Sequence, residues 1–395
     1  MPLKDRLQQL AQEVYPEVVA TRRDLHRHPE LAFEEVRTAG VVAQRLTELG
    51  IPHQTGVAQT GVVAIIEGKK KGKTVALRAD MDALPILEEN EVDYRSLNPG
   101  KMHACGHDAH TASLLGTAKI LMQVRDEIPG TIKLIFQPSE EKLPGGASVM
   151  VKEGVLKNPD VQTILGQHVM PQLPAGTVGI RPGMYMASTD EIYITVHGRG
   201  GHGAMPHTTT DPVLIGAHLI VALQQVVSRI ADPRMPSVLT IGKVVAQGAT
   251  NVIPEKVVME GTFRAFNETW RAEAHKRIAQ IAHGVVEGMG GKLELEIRRG
   301  YPVLYNDEQV TARARKHIID YMGADRVVDL DLWTAAEDFA FYTHQIPGCF
   351  YRIGTRNEAA GIVHGLHTPR MNIDETALQT STGLMAWLAI KELEG

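Results

Sequence analysis

Through the first 180 or so residues, short apolar runs alternate with amphipathic stretches; near Gly183 that rhythm changes, and the new one lasts to about Tyr301. Strand–helix alternation specifies a layered α/β core with a mostly parallel sheet between helices. Val62–Ile66 and Thr74–Ala79 read as buried strands on either side of a Lys/Gly turn, and Thr131–Phe136 and Thr163–Gly166 as further strands. Leu3, Leu7, Leu10, Val14 and Val18 recur at helical spacing in spite of Pro16, and helices are also expected over 34–49 and 110–125. After Gly183 the order is strand (191–196), helix (212–230), strands (237–245 and 256–265), helix (268–289) and strand (292–298). That is the split ferredoxin-like arrangement. Beyond Tyr301 the α/β style returns, with a helix near 307–322 and a strand at 350–353. The reading is a small α+β domain, residues 186–298, inserted into a larger discontinuous α/β domain formed by 1–185 and 299–395.

At 395 residues, 43% hydrophobic and 22% charged, the chain has the length for two or three domains and lies far from disordered compositions. Lys and Arg total 41 against 46 Asp and Glu, a net charge of −5, which argues against nucleic acid or an anionic membrane as a partner. The two cysteines, Cys105 and Cys349, cannot build a disulfide framework. The start, Met-Pro-Leu-Lys-Asp-Arg, is charged at once, and apolar runs such as Val62–Ile66 are too short to span a bilayer, so a cytoplasmic location is expected.

The 17 histidines are many for this length, and several fall in short polar clusters. Arg78-Ala-Asp-Met-Asp-Ala-Leu-Pro85 follows a strand, Met102-His-Ala-Cys-Gly-His-Asp108 precedes a helix, and Gln137-Pro-Ser-Glu-Glu141 follows a strand. Gly166-Gln-His-Val-Met-Pro171 ends the strand at 163–166, and Gly361-Ile-Val-His-Gly-Leu-His-Thr-Pro369 comes from the C-terminal segment. Ligand crevices of open α/β sheets lie beyond the carboxyl ends of the strands, where three of these clusters fall. Cys105, His107, Glu141, His168 and His367 suit a metal site. Five protein ligands exceed the three of a mononuclear catalytic zinc, whereas two metals about 3.5–4 Å apart with a bridging ligand would use them all. Of the adjacent Glu140 and Glu141, one can then bind metal while the other serves as a base.

Each feature alone has an ordinary explanation. A lone cysteine is a buried apolar filler, as Cys349 is read; a Glu-Glu pair is a solvated surface; a single His168 on an apolar strand is a hydrogen-bonded core histidine. His26, His28, His275, His283 and His317 are given such roles. Jointly, in Gly- or Pro-bearing loops, the five clusters fit a metal hydrolase better.

The ordered motifs resemble the di-metal amidohydrolase and carboxypeptidase family of N-acyl-L-amino-acid amidohydrolases, hippurate hydrolases and auxin-conjugate hydrolases. The resemblance starts at Asp24-Leu-His-Arg-His-Pro-Glu-Leu31 and runs through the five clusters. It includes Gly198-Arg-Gly-Gly-His-Gly-Ala-Met-Pro206 and Asn251-Val-Ile-Pro254, and so covers nearly the whole chain. It implies a di-metal catalytic domain carrying an inserted lid and dimerisation domain. It implies that Cys105, His107, Glu141, His168 and His367 bind the metals, with Cys105 bridging, that Glu140 is the general base, and that Asp82 supports the ligand shell. Where relatives with a His-x-Asp motif place a ligand histidine this chain has Asp80, and His107 takes over that imidazole, so Asp80 is not assigned to metal. His202, Asn251 and Arg264 match residues that polarise the scissile carbonyl and hold the substrate carboxylate; His202, among four glycines, has the least structural reason to be what it is.

The chemistry implied is hydrolysis of the amide of an N-acyl-L-amino acid by a metal-activated water, with Glu140 as base and His202 stabilising the oxyanion. The donor set fits two divalent ions, Zn²⁺ first, with Mn²⁺, Co²⁺ or Ni²⁺ also compatible. A small N-acyl amino acid or short peptide is the expected partner, with neither nucleic acid nor membrane, in a homodimer or homotetramer. The rival readings are a metallo-carboxypeptidase, an N-acetyl-diaminopimelate deacetylase, and a metal-dependent binding protein without catalysis.

Overall fold

The computed structural model describes residues 1–395. Two compact units emerge: the first comprises 1–183, 305–331 and 338–395, the second 184–304 and 332–337. In chain order the first opens with helices α1 (Leu3–Arg27) and α2 (Val36–Glu48) and strands β1 (His53–Val57), β2 (Gly61–Glu67) and β3 (Thr74–Asp80). Helix α3 (His107–Gln123), strand β4 (Thr131–Gln137), helix α4 (Gly146–Lys152) and strands β5 (Thr163–Pro174) and β6 (Val178–Ile180) follow, and β7 (Gly183–Met186) begins at the boundary and runs into the second. The second unit carries β8 (Asp190–His197), β9 (Gly201–His202), α5 (Pro212–Leu223), β10 (Ser237–Ala246), β11 (Val252–Ile253), β12 (Lys256–Ala265), α6 (Glu268–Gly288) and β13 (Lys292–Arg299). The chain then adds β14 (Leu304–Asn306), α7 (Glu308–Met322), β15 (Val327–Asp329), α8 (Ala340–Thr343), β16 (Gly348–Arg356) and α9 (Thr376–Glu394).

The first unit is built on an eight-stranded sheet of order β1-β2-β4-β3-β5-β16-β6-β15, parallel through its centre from β4 to β16. The strands flanking the Lys/Gly turn are not neighbours, because β4 lies between them, antiparallel to β2 and parallel to β3. Helix α1 is amphipathic as its spacing predicts, burying Leu7, Leu10, Val14 and Val18. Helices α3 and α9 are buried nearly all round, so their apolar residues are not confined to one stripe.

The second unit pairs four antiparallel strands in the order β10-β12-β8-β13, the ferredoxin-like order. Ile192, Ile194 and Val196 of β8 alternate inward and join Ile215 and Leu219 of α5 and Ile278 and Ala282 of α6 in a separate core.

Four expectations need correcting. The strand expected over 163–166 runs on to Pro174, because β16 pairs with it as far as Pro174, so His168 lies within a strand. The helix expected from His110 starts at His107, bringing His107 and Asp108 into its first turn. The helix expected over 212–230 stops at Leu223 and continues as a wider π-type turn over Val226–Ile230. That 19-residue stretch, Pro212–Ile230, is by length and composition apolar enough to cross a membrane, contrary to the reading that every apolar run is too short. Its inward side packs on the sheet of its own unit through Ile215, Leu219 and Leu223.

Candidate metal centre

Parallel pairing aligns the carboxyl ends of three strands. Asp80 pairs with Gln137 across β3 and β4, and Arg78 pairs with Gly166 across β3 and β5. That register carries Asp82 past the end of β3, Glu140 and Glu141 past the end of β4, and leaves His168 level with Asp80.

Asp82 organises this edge. Its Oδ1 accepts the Glu140 N–H at 2.9 Å and Nδ1–H of His107 at 3.1 Å, while its Oδ2 accepts the Glu141 N–H at 2.9 Å. One buried carboxylate thus sets both the His107 tautomer and the turn that carries the two glutamates. Ser139, just before that pair, has φ of 51°, a left-handed conformation that sharpens the turn. Gly106 has φ of 84°, and a Cβ there would stand 2.5 Å from Val169 Cγ2, so glycine is what lets Cys105 and His107 approach β5. His367, itself at φ 60°, donates its backbone N–H to Ala104 O at 2.8 Å, tying the C-terminal loop to the Cys105 loop.

The side chains converge on three overlapping groups. Donor atoms of Cys105, His107 and His168 lie within 4.8 Å of one another, as do those of Cys105, Glu141 and His367, and those of His107, Glu140 and Glu141. Cys105 Sγ is 3.4 Å from His168 Nε2, and His367 Nε2 is 3.1 Å from Glu141 Oε1. Both His107 and His168 spend Nδ1 on a protein partner, Asp82 and the Val169 carbonyl, which turns Nε2 inward. His107 Nε2 is buried with no hydrogen-bond partner, and Glu141 Oε1, also buried, has only the His367 imidazole at 3.1 Å beside it. Leaving a buried polar atom unpaired costs about 1–3 kcal/mol. A divalent cation would satisfy both, and thiol, imidazole and carboxylate donors are those that borderline ions take.

The electrostatics call for positive charge. Burial first, and then Glu141, Glu140 and Asp80, push the Cys105 thiol well above its ordinary value. Burial opposes a charge on His107, yet Asp80, Asp82 and Glu141 outweigh it and lift it to about 10. His168 is driven well below the usual imidazole range by burial and by Arg352, which leaves it neutral, the form that binds metal. His367 is raised by its contact with Glu141. Glu140 is buried, and the Asp338 N–H lies 3.4 Å from its Oε1.

His202, Asn251 and Arg264 all lie in the second unit. There β9 and β11 pair His202 with Val252, and the Gly203 N–H donates to Asn251 O at 2.8 Å, so His202 and Asn251 share one ribbon. Arg264 is half-buried on β12, opposite Val238, and burial lowers its pKa. Cys349 is free and fully buried.

Two buried networks escaped the sequence reading. Arg78 Nη1 donates to Asp80 at 2.6 Å and Nη2 to Asp338 at 2.8 Å, while His110 Nδ1 lies 2.6 Å from Asp80. Asp108 is held by Arg22 Nε at 2.8 Å and His26 Nδ1 at 2.7 Å, and His26 Nε2 meets Glu88 at 3.1 Å. The three-residue step from His107 to His110 on one helix face was the available signal for the first; the second joins the first helix to residues 62 or more positions away and had none.

A thiol, imidazoles and carboxylates gathered at the carboxyl edge of a parallel sheet, with a further carboxylate beside them, define a metal-dependent hydrolase. The chain belongs to peptidase family M20/M25/M40, whose profile matches residues 76–390. It is similar to the N-acyl-L-amino acid amidohydrolase of Geobacillus stearothermophilus, 46% identical over 306 residues that cover 77% of this chain and 82% of that one. It is also similar to thermostable carboxypeptidase 2 of Saccharolobus solfataricus, 38% identical over 394 residues and 99% of each chain. Among solved structures, the Bacillus subtilis YXEP protein, a dinuclear metal binding peptidase of the M20 family, matches with a TM-score of 0.84 at 35% identity, covering 97% of this chain and 99% of that one.

Proposed function

We propose that this enzyme hydrolyses the amide bond of N-acyl-L-amino acids using two divalent ions, held by Cys105, His107, Glu141, His168 and His367. The convergence of those donors around His107 Nε2, which is buried without a hydrogen-bond partner, carries the reading. When bound, the ions supply Lewis acidity toward the carbonyl oxygen and toward water. Glu140 takes a proton from the attacking water and returns it to the leaving amine, as general acid–base catalysis requires. Asp82 keeps His107 in the tautomer that faces the ions. The resemblance gives His202, Asn251 and Arg264 of the second unit the tasks of polarising the scissile carbonyl and holding the substrate carboxylate, to which an imidazole donor and the planar fork of Arg264 are suited.

The test is a panel of N-acetyl, N-benzoyl and longer N-acyl amino acids beside blocked dipeptides, assayed as purified, after chelation, and after return of Zn²⁺, Mn²⁺ or Co²⁺. Release of a free amino acid that is lost on chelation and restored by metal is the expected result. Cleavage of blocked dipeptides alone would favour a carboxypeptidase, and metal binding without any turnover a binding protein.

The second unit supports a homodimer or homotetramer. Val221 and Leu214 of α5 are 73% and 52% exposed, and β10, an edge strand, exposes Val244 at 52%. Large apolar side chains on an open strand edge invite pairing with another chain. Light scattering should show a dimer or larger that is weakened by Val244→Lys; a wild-type monomer at micromolar concentration would refute it.

A further inference from the structure

His110 makes two polar contacts, and together they specify where its proton sits. Its Nδ1 lies 2.6 Å from Asp80 Oδ1, and the Val169 N–H donates to its Nε2 at 2.9 Å. A ring nitrogen that accepts an amide N–H carries no proton, so the proton is on Nδ1 and is given to Asp80. Asp80 is committed on its other side as well, because Oδ2 accepts from Arg78 Nη1 at 2.6 Å. Arg78 is anchored in turn by Asp338 at 2.8 Å and Gln137 at 2.8 Å. All five side chains are buried.

The chain of bonds ends on the backbone of the residue after His168. The same residue orients the His168 ring, since His168 Nδ1–H donates to Val169 O at 2.7 Å and so directs Nε2 toward Cys105 Sγ. The His110 and His168 rings meet edge to face with centroids 4.5 Å apart. Pairing between β3 and β5 ends at Arg78 and Gly166, so β3 supplies no ladder bond to Val169. Any buried acceptor could satisfy that N–H. A ring clamped from behind by the Asp80–Arg78 pair holds it in one direction only.

We infer that His110, oriented by Asp80, is a positioning residue that fixes the His168 imidazole toward the metal centre. The inference rests on the metal-centre reading above. It also gives Asp80 a place in this clamp, since each of its oxygens accepts one of the clamp's hydrogen bonds, Oδ1 from His110 and Oδ2 from Arg78.

Three variants of the full chain test it: His110→Phe, which keeps a ring and loses both bonds; His110→Gln, whose carbonyl can still accept the Val169 N–H; and Asp80→Asn. Each is stripped of metal and titrated with Co²⁺, reading ions bound per chain, affinity and the d–d absorption band. Wild type binds Co²⁺; His110→Phe and Asp80→Asn hold one ion roughly 10–100-fold more weakly, the usual effect of losing a partner behind a ligand, with an altered band. His110→Gln stays closer to wild type than either. Folded His110→Phe and Asp80→Asn proteins with wild-type affinity and band overturn the inference, even if they melt earlier. Should His110→Phe not fold, Asp80→Asn against wild type decides. If wild type itself binds no Co²⁺, the metal-centre reading fails first and takes the inference with it, a result visible without any substitution.

Discussion

Replacing Asp82 by asparagine would test how far one side chain builds this site. The carboxylate accepts three hydrogen bonds, from the backbone of Glu140 and Glu141 at 2.9 Å and from His107 at 3.1 Å. An asparagine must put an NH₂ where one oxygen was. Facing Glu141, the NH₂ opposes one N–H; facing Glu140, it opposes another and also drives the His107 proton to Nε2, the wrong side for a ligand. The cheaper orientation loses one bond to an ionised acceptor, about 1.5–3 kcal/mol, and weakens the other two by removing the charge. The expected loss for the metal-free protein is about 2–4 kcal/mol. It would be read as a lower urea midpoint at unchanged slope, followed by tryptophan fluorescence. Metal affinity, read by competition with a chromophoric chelator, should fall roughly 10–100-fold. An Asp82→Asn protein that unfolds with wild type and holds metal as tightly would refute the argument.

Glu140→Gln should keep its metal content yet lose roughly 10²–10⁴ in kcat, the usual range for a general base; near-normal turnover would remove Glu140 from that role. Gly106→Ala places a Cβ 2.5 Å from Val169 Cγ2 on a residue with φ of 84°, and should lower the melting temperature by a strain of about 1–3 kcal/mol together with the bound metal; an unchanged melt would contradict the close approach. Glu35 is pushed up to about 7, by burial first and by the Asp82 charge, against the hydrogen bonds from Thr60 and Ser139. Its folded value therefore lies above the ordinary 4.5, so its contribution to stability is full below about pH 4.5 and is lost as pH rises through 7, up to about 3 kcal/mol. Glu35→Gln should flatten that part of the melting-temperature profile, and an unchanged slope between pH 4.5 and 7 would show the group is not titrating there.

What the chain could disclose unaided was whatever is local or periodic. The 3–4 residue spacing of Leu7, Leu10, Val14 and Val18, and the period-2 pattern of Ile192, Ile194 and Val196, each bury one face, and a buried face leaves its period in the residue order. The candidate donors stood out because soft and imidazole side chains crowd into short loops with glycines, where packing alone has no use for them. Extents were less legible. Only the neighbouring β16 carries β5 on to Pro174, since a strand lengthens as far as its partner offers hydrogen bonds.

Tertiary structure alone decided which polar residues support the donors. Asp80 was visible as a carboxylate at an unusual position, but its commitment to Arg78 and His110 depends on side chains that meet only when β3 and α3 pack. Asp338 reaches Arg78 across 260 positions, and Arg22 and His26 reach Asp108 from the first helix. No period or motif encodes such partners. A buried charge must find its counter-charge wherever the folded chain happens to bring one near, and that is a property of three-dimensional proximity, not of order along the chain.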